Sequence, residues 1–262
     1  MKRLWIFPLV LAAACASCGD SPQDQITIAG STSFQPFVEM VAEAYEQGHP
    51  DVRILVQGGG STAGVLAVRA GAATVGMVSR GLQPDEKDLS AMVAARDGIA
   101  VIVHPSSPLS NLTTDQIRGI FSGTVTDFGE LGGPKGPVRP VTREEGSGTR
   151  GAFVDLLMGG RAITPAALVQ DSNGSMRELI AHDPEAIGYI SLGLVDGSVK
   201  ALNIDGIRPA RENVENGSYR LVRPFMFIFN GQLEGTARLF VDFVLSPQGQ
   251  RMLEQEGLIA AK

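Results

Sequence analysis

The sequence predicts an α/β protein made of two doubly wound α/β domains. Its 262 residues are 44% hydrophobic and 19% charged, a balance typical of globular chains of one or two domains. Short apolar segments alternate with helical patterns, which is the order that builds parallel sheets covered by helices. This alternation occurs twice, with a proline-rich stretch at residues 104–108 in between. These observations together predict two lobes.

The first half of the chain follows a strand, helix, strand, helix, strand order. These elements are predicted over residues 25–29, 34–47, 52–56, 65–70 and 73–78. The first helix has apolar side chains at helical spacing and ends at Gly48, just before Pro50.

The second half repeats the α/β pattern and adds two helices at its end. Strands are predicted at residues 99–103, 138–142, 186–190 and 225–229. Helices are predicted at residues 113–121, after Gly148, and over residues 235–256, where Ser246-Pro247 breaks the last segment into two helices. We expect the chain to cross between lobes near residues 103–108 and 220–224. Domain 1 is then residues 26–104 plus 222–262, domain 2 is 105–221, and the C-terminal helices pack on domain 1.

The N-terminal residues have the anatomy of an export signal. Lys2 and Arg3 precede an uncharged run over residues 4–14, which is too short for a permanent transmembrane helix. Small residues followed by Cys15 and Cys18 are typical of a lipoprotein cleavage site, with either cysteine as the lipidated one. Incidental thiols remain an alternative, and a Cys-x-x-Cys metal or redox site lacks further ligands. We predict a signal region at 1–18 and a tether at 19–25.

Four loops share one design, in which glycine and hydroxyl or amide side chains link an apolar strand to a helix. They are residues 30–33, 58–62, 146–149 and 172–175. A helix N-terminus presents unpaired N–H groups that attract a compact anion, and glycine lets the backbone approach it. Each loop alone also fits a simple helix cap. Four of them favour a ligand site, because such loops collect at the carboxyl ends of the strands.

Charged residues around the third loop strengthen the anion prediction. Arg143 precedes the loop, and a guanidinium fork matches two oxygens of a tetrahedral oxyanion. We expect Glu145 to hold Arg143 in position or to accept a proton from the ligand. Glu144 is expected to be surface charge.

Several enzyme and cofactor classes find little support in the sequence. The stretch GGGSTAG lacks the Gly-Lys-Ser/Thr ending of a nucleotide-binding loop, and Glu145 replaces the first glycine of a Gly-x-Ser-x-Gly nucleophile motif. His49, His104 and His182 lack metal-type spacing, and nothing pairs Ser147 with His104 as a nucleophile and base. The net charge of −6 argues against nucleic acid as a partner. We expect no catalytic residues, metal or cofactor.

The motifs over residues 26–260 resemble, in order, the PstS-type phosphate-binding proteins of bacterial ABC importers. They read GSTSFQP, GGGSTAG, VGMVSR, VHPSSPLSNLTTDQIRGIFSG, REEGSGTR, AIGYISLG, RPFMFIFN and LSPQGQRMLEQEGLI. The resemblance implies a type II periplasmic-binding-protein fold, with two domains joined by two crossover strands and one phosphate in the cleft. The ligand residues it implies are Ser31, Thr32, Ser33, Ser61, Ser79, Arg143, Glu145, Ser147, Gly148 and Thr149.

One position departs from some members of that family. Where they have a carboxylate, this chain has Ser79 followed by Arg80, and Thr74 stands where relatives often carry Asp. Hydrogenphosphate has a proton that a carboxylate can accept, whereas sulfate has none. The missing carboxylate leaves the basis for rejecting sulfate open, with Glu145 or Asp171 as possible substitutes.

The expected function is capture of inorganic phosphate and its delivery to the permease of an ABC transporter. The expected protein is a monomer in the periplasm or cell envelope, attached to the membrane by a lipid anchor. The alternatives are a binder of sulfate or a similar oxyanion, a secreted phosphate-ester hydrolase, and an adhesion or signalling protein that has kept the fold.

Overall fold

The computed structural model describes residues 24–261. The predicted signal region, both cysteines and most of the tether lie outside the described residues. Within residues 24–261, none of the helices is both long and apolar enough to cross a bilayer.

The first layer is a parallel sheet with strand order β2-β1-β3. Its elements are β1 (Asp24–Gly30), α1 (Gln35–Gly48), β2 (Val52–Gln57), α2 (Ser61–Arg69) and β3 (Val75–Val78). The predicted order of these five elements is confirmed. Helix α2 begins several residues before the predicted segment, directly after the glycines of the second loop, because Ser61 to Gly64 also adopt helical conformation.

Strand β4 (Ser90–Val103) belongs to both layers. Its residues 90–98 pair antiparallel with β11 (Val222–Phe229), and its residues 99–103 pair with β8 (Ala186–Ser191). The change of partner lies at Gly98, so this crossing comes earlier than the predicted residues 103–108. The division into domains at 104/105 and 221/222 stays a prediction.

The second layer continues the sheet in the order β4-β8-β6-β7. Its elements are β5 (Asn111–Leu112), α3 (Thr114–Ser122), β6 (Arg139–Arg143), α4 (Gly148–Phe153), β7 (Leu168–Gln170), α5 (Asn173–His182), β8, β9 (Lys200–Ala201), β10 (Asn203–Ile204) and α6 (Arg211–Glu215). Strand β6 runs parallel to both of its neighbours, so its carboxyl end and that of β7 lie at the same edge.

The C-terminal helices α7 (Gly235–Leu245) and α8 (Pro247–Gln255) pack on the first layer, as predicted, and β12 (Ile259–Ala260) follows them. The break between them occurs at Ser246, whose hydroxyl accepts the Gly249 N–H and caps α8.

Each layer has its own aromatic core. In the first, the Phe34 ring lies 4.8 Å from that of Phe225. In the second, Phe153 stacks on Tyr189 with the ring centroids 3.9 Å apart. All four side chains are buried, so the strand ends that these cores support are held in fixed positions.

Candidate anion-binding site

The four glycine and hydroxyl loops predicted from the sequence converge in the structure. They follow β1, β2, β6 and β7, whose parallel neighbours place the carboxyl ends at the cleft between the two layers. The Thr62 N–H donates to the Gly146 carbonyl over 3.1 Å and joins the second loop to the third. Ligand sites of doubly wound sheets form at such an edge.

Three buried serines form a hydroxyl cluster on the side of the first layer. The Ser31 hydroxyl donates to the Ser79 hydroxyl over 2.8 Å. The Ser61 hydroxyl accepts the Ser79 backbone N–H over 3.1 Å and lies 3.4 Å from the Ser79 hydroxyl. All three residues are at most 1% exposed. The structure therefore brings together three predicted ligand residues that are far apart in sequence.

A second hydroxyl pair bridges the two layers. The hydroxyl oxygens of Ser33 and Thr149 are 2.5 Å apart. The Asn173 side-chain amide donates to Ser33 over 2.8 Å. Asn173 lies in the fourth predicted loop but is not among the predicted ligand residues.

Gly148 lies against the serine cluster with no room for a side chain. A Cβ atom there would be 2.1 Å from the Ser61 hydroxyl oxygen and 2.4 Å from that of Ser79. The neighbouring Ser147 caps α4, because its hydroxyl accepts the Arg150 N–H over 3.2 Å. Gly148 thus lets the start of α4 approach the hydroxyls closely.

Arg143 is fully buried at the end of β6 and is held by several acceptors. Its Nε donates to the Gln170 carbonyl at 3.1 Å, and its Nη2 donates to the Asp171 carbonyl at 2.7 Å and to the Thr32 hydroxyl at 2.9 Å. Its Nη1 is also buried and has no hydrogen-bond partner among residues 24–261. A cavity of about 290 Å³ is lined in part by Thr32, Glu144 and Asp171, which all accept hydrogen bonds from the Arg143 guanidinium.

The prediction that Glu145 orients Arg143 was wrong. Glu144 makes the bidentate pair instead, with its two carboxylate oxygens 3.0 and 3.1 Å from Nε and Nη2 of Arg143. The Glu145 side chain is 93% exposed and lies 4.0 Å from Arg150. The chain turns at residues 145–146, where the Ser147 N–H donates to the Glu144 carbonyl over 3.1 Å, and the Glu145 side chain is left in solvent.

Asp171 lines the same cavity as Thr32, and its role as the missing carboxylate stays a prediction. Its carboxylate accepts from the Ser175 hydroxyl over 2.9 Å, within its own loop. The hydroxyls of Ser175 and Ser172 lower the pKa of Asp171, which keeps its carboxylate ionised.

Arg80, beside Ser79, forms a buried ion pair with Glu86, with a shortest N–O distance of 2.6 Å.

A second buried ion pair lies behind the hydroxyls and was not predicted. Arg223 donates through Nε and Nη2 to Asp97, at 3.0 and 2.8 Å, and through Nη1 to the Thr149 hydroxyl at 2.7 Å. Burial raises the pKa of the Asp97 carboxyl, and the Arg223 guanidinium opposes that rise. Asp97 also accepts from the Ser191 hydroxyl over 2.8 Å.

The site offers hydroxyl donors and one guanidinium from loops that meet at the cleft. Three of its neighbouring carboxylates, on Glu144, Glu86 and Asp97, are each paired with an arginine. This arrangement suits a compact oxyanion, which needs several donors around a few oxygens.

Comparisons with known proteins identify the family. Residues 16–248 match the model described as the PBP superfamily domain. The Bacillus subtilis phosphate-binding protein PstS is 32% identical over 94% of this chain and 87% of its own length.

Solved structures agree with that match. A phosphate ABC transporter substrate-binding protein from Clostridium perfringens, with bound phosphate, is 39% identical and superposes with a TM-score of 0.88, covering 91% of this chain and all of that one. An ABC-type phosphate transport receptor from Vibrio cholerae is 37% identical with a TM-score of 0.76, covering 89% of this chain and 99% of that one. The predicted two-lobed α/β fold is confirmed, and the chain belongs to the PstS-type proteins of the PBP superfamily.

Proposed function

We propose that the protein is the phosphate-binding component of an ABC importer, which captures inorganic phosphate between its lobes and delivers it to the membrane permease. The observation that carries the proposal is Nη1 of Arg143, buried and without a partner among residues 24–261. A buried charged donor is costly unless something accepts its hydrogens, so it favours an anion at that atom. The phosphate named for the C. perfringens and B. subtilis relatives supports this choice of anion.

The phosphate ligands of this proposal are the predicted residues other than Glu145. Ser31, Ser61 and Ser79 donate from the serine cluster, and Arg143 donates from the opposite layer. The remaining ligands are Thr32, Ser33, Ser147, Gly148 and Thr149. Gly148 contributes through its backbone N–H. Ser147 contributes its hydroxyl proton, since this hydroxyl only accepts in the cap of α4 and the Ser147 N–H already donates to the Glu144 carbonyl over 3.1 Å. Asn173 supports the Ser33 hydroxyl and joins the set.

Capture uses a hinge motion of the two lobes. Strands β4 and β11 are paired where the chain passes between the layers. Opening about this pair separates Ser33 from Thr149 and exposes the hydroxyls to solvent, and phosphate brings them together again. We place the lobes at residues 26–104 with 222–262, and at 105–221.

The protein acts in the periplasm or cell envelope as a monomer, anchored through lipid on Cys15 or Cys18. Mass spectrometry of the mature protein from membranes tests the anchor, because a lipid-modified N-terminal cysteine would identify the cleavage site. Loss of membrane association only in Cys15→Ser, or only in Cys18→Ser, would assign it.

A phosphate-ester hydrolase is the rival from another class, and the local geometry disfavours it. The Ser147 hydroxyl caps α4, while the His104 ring nitrogen pairs with the Ser106 hydroxyl 2.8 Å away. A nucleophile needs its hydroxyl hydrogen-bonded to a base. Turnover of a chromogenic phosphate ester that disappears in Ser147→Ala would reverse this conclusion.

Calorimetry tests the proposed function directly. The protein, stripped of bound anion, is titrated with phosphate and then sulfate at about pH 8, where phosphate is mostly doubly charged. We expect one-to-one phosphate binding that Arg143→Ala loses and Arg139→Ala keeps, since Arg139 is half exposed on the same strand and pairs with Asp183 and Glu185. Preferred sulfate binding would make the protein a sulfate binder, and binding of neither anion would refute an oxyanion importer.

A further inference from the structure

The hydroxyl pair and four residues behind it form a closed ring of hydrogen bonds. In order they are Asp97, Arg223, Thr149, Ser33, Asn173 and Ser191. The ring contains both strands that connect the lobes, because Asp97 is on β4 and Arg223 is its direct partner on β11. All six residues are at most 3% exposed.

The proton count around the hydroxyl pair gives this ring a role. Thr149 accepts an N–H from Arg223 at 2.7 Å, and Ser33 accepts one from Asn173 at 2.8 Å. One hydroxyl proton lies between Thr149 and Ser33, which are 2.5 Å apart. Each hydroxyl carries one proton, so the other proton points away from the ring. One of the two hydroxyls therefore donates to the other, and only the remaining proton of the pair is left for a ligand in the cleft.

The remaining members of the ring hold the two orienting groups. Asp97 fixes the Arg223 guanidinium through two hydrogen bonds. Ser191 donates its hydroxyl to Asp97 over 2.8 Å and its backbone N–H to the Asn173 side-chain oxygen over 3.3 Å. The amide nitrogen of Asn173 must therefore face Ser33.

Resting on the proposed function, we propose that Asp97 and Arg223 are positioning residues for anion binding. By occupying an acceptor position of Thr149, they hold this hydroxyl in place and leave one proton of the Ser33–Thr149 pair for the bound phosphate, without themselves touching it. The ring closes only when the lobes are closed, since Ser33 comes from the first layer, and Thr149 and Asn173 come from the second. The Asp97–Arg223 ion pair therefore stabilises the closed form as well as orienting a ligand residue.

A double-mutant cycle on phosphate affinity tests this role. Arg223→Met alone would leave Asp97 buried and unpaired, so the working variant combines it with Asp97→Asn and removes both charges. We expect phosphate to bind this variant about 10- to 100-fold more weakly, the range for losing a hydrogen bond to a charged group. In a protein that already carries Thr149→Val, the combined Asp97 and Arg223 substitutions should lower phosphate affinity less than about threefold, because the hydroxyl that the ion pair orients is gone.

The controls separate positioning from general loss of structure. Arg220→Met removes an exposed arginine close to Arg223 in sequence and should bind phosphate like the wild type. Thermal unfolding without ligand reports on stability alone. Arg223→Lys keeps the charge balance and one donor, so it should recover part of the affinity. If the neutral double variant does not fold, the same cycle is run with Arg223→Lys.

The outcomes are distinct. A loss of phosphate affinity that occurs when Thr149 is present, and not in the Thr149→Val protein, supports the positioning role. An equal loss in both backgrounds, or no loss, overturns it and leaves the proposed function intact. Failure of the wild-type protein to bind phosphate overturns the proposed function, and this inference with it.

Discussion

Replacing Gly148 with alanine is the sharpest test of the packed site. The new Cβ would lie 2.1 Å from the Ser61 hydroxyl oxygen and 2.4 Å from that of Ser79, well inside contact distance. Gly148 lies in α4 without a positive φ, so alanine fits the backbone there. The conflict is therefore with the two hydroxyls and not with the helix.

The size of the effect follows from what must move. Overpacking a filled interior costs about 1–3 kcal/mol of stability. Displacing Ser61 and Ser79 also turns two donors away from the anion, each worth about 1.5–3 kcal/mol when the acceptor is charged. We therefore expect phosphate affinity to fall about 100-fold or more.

The assay is calorimetric phosphate titration alongside thermal unfolding of the unliganded protein. Gly146→Ala is the matched control, because its Cβ would make only an ordinary contact, 3.7 Å from Thr62. The alanine at 146 should leave affinity near the wild-type value. If Gly148→Ala binds phosphate within about threefold of Gly146→Ala, the hydroxyls of Ser61 and Ser79 are not ligands.

Three further predictions address single residues. Glu145→Gln should leave phosphate affinity within about twofold of the wild-type value, since the Glu145 side chain is 93% exposed. A large loss of affinity in the same titration would show that Glu145 belongs to the site. Ser79→Asp should lower sulfate affinity relative to phosphate about tenfold or more, because a carboxylate accepts the phosphate proton and repels sulfate. An unchanged ratio in competition experiments would contradict that reasoning. Burial raises the pKa of Tyr189 from 10.0 to about 12. Its neutral form thus stabilises the fold below pH 10, and about 3 kcal/mol is lost as pH rises toward 12. In denaturant unfolding, the stability of Tyr189→Phe should fall less than that of the wild type between pH 10 and 12. Identical dependence of stability on pH in the two proteins would contradict this prediction.

The loops could be predicted because their chemistry is local. Glycine, hydroxyls and a preceding apolar strand lie within a few residues of one another, as at residues 30–33 and 146–149. Parallel pairing then brings the loops to one edge without further information. Arg143 could be predicted for the same reason, since it lies three residues before a loop.

The choice between Glu144 and Glu145 could not be made from sequence. Both acids follow Arg143 at the end of β6, where the chain leaves the sheet. Which one pairs with the guanidinium depends on how the chain turns toward α4, and the sequence pattern does not specify that turn. The sequence therefore predicts Glu145 as the partner of Arg143 and Glu144 as surface charge, the reverse of what the structure shows.

The ion pair between Asp97 and Arg223 could not be predicted, because the residues next to each one in sequence are atypical of a central strand. Asp97 precedes Gly98, a pair typical of turns, so the strand was predicted to start only at Ile99. Arg223 precedes Pro224, and proline argues against a central strand. In the structure both positions continue through β4 and β11, and their pairing in register is a tertiary contact between segments far apart in sequence.

The pairing of every arginine at the site with a carboxylate explains how an acidic protein can hold an anion. Arg143, Arg223 and Arg80 are each neutralised by a neighbouring acid, and the whole chain carries a net charge of −6. Attraction therefore cannot come from a long-range positive field. It must come from donors fixed at short range, where the acids keep each guanidinium in one orientation. A site built this way recognises the geometry of an oxyanion more than its charge.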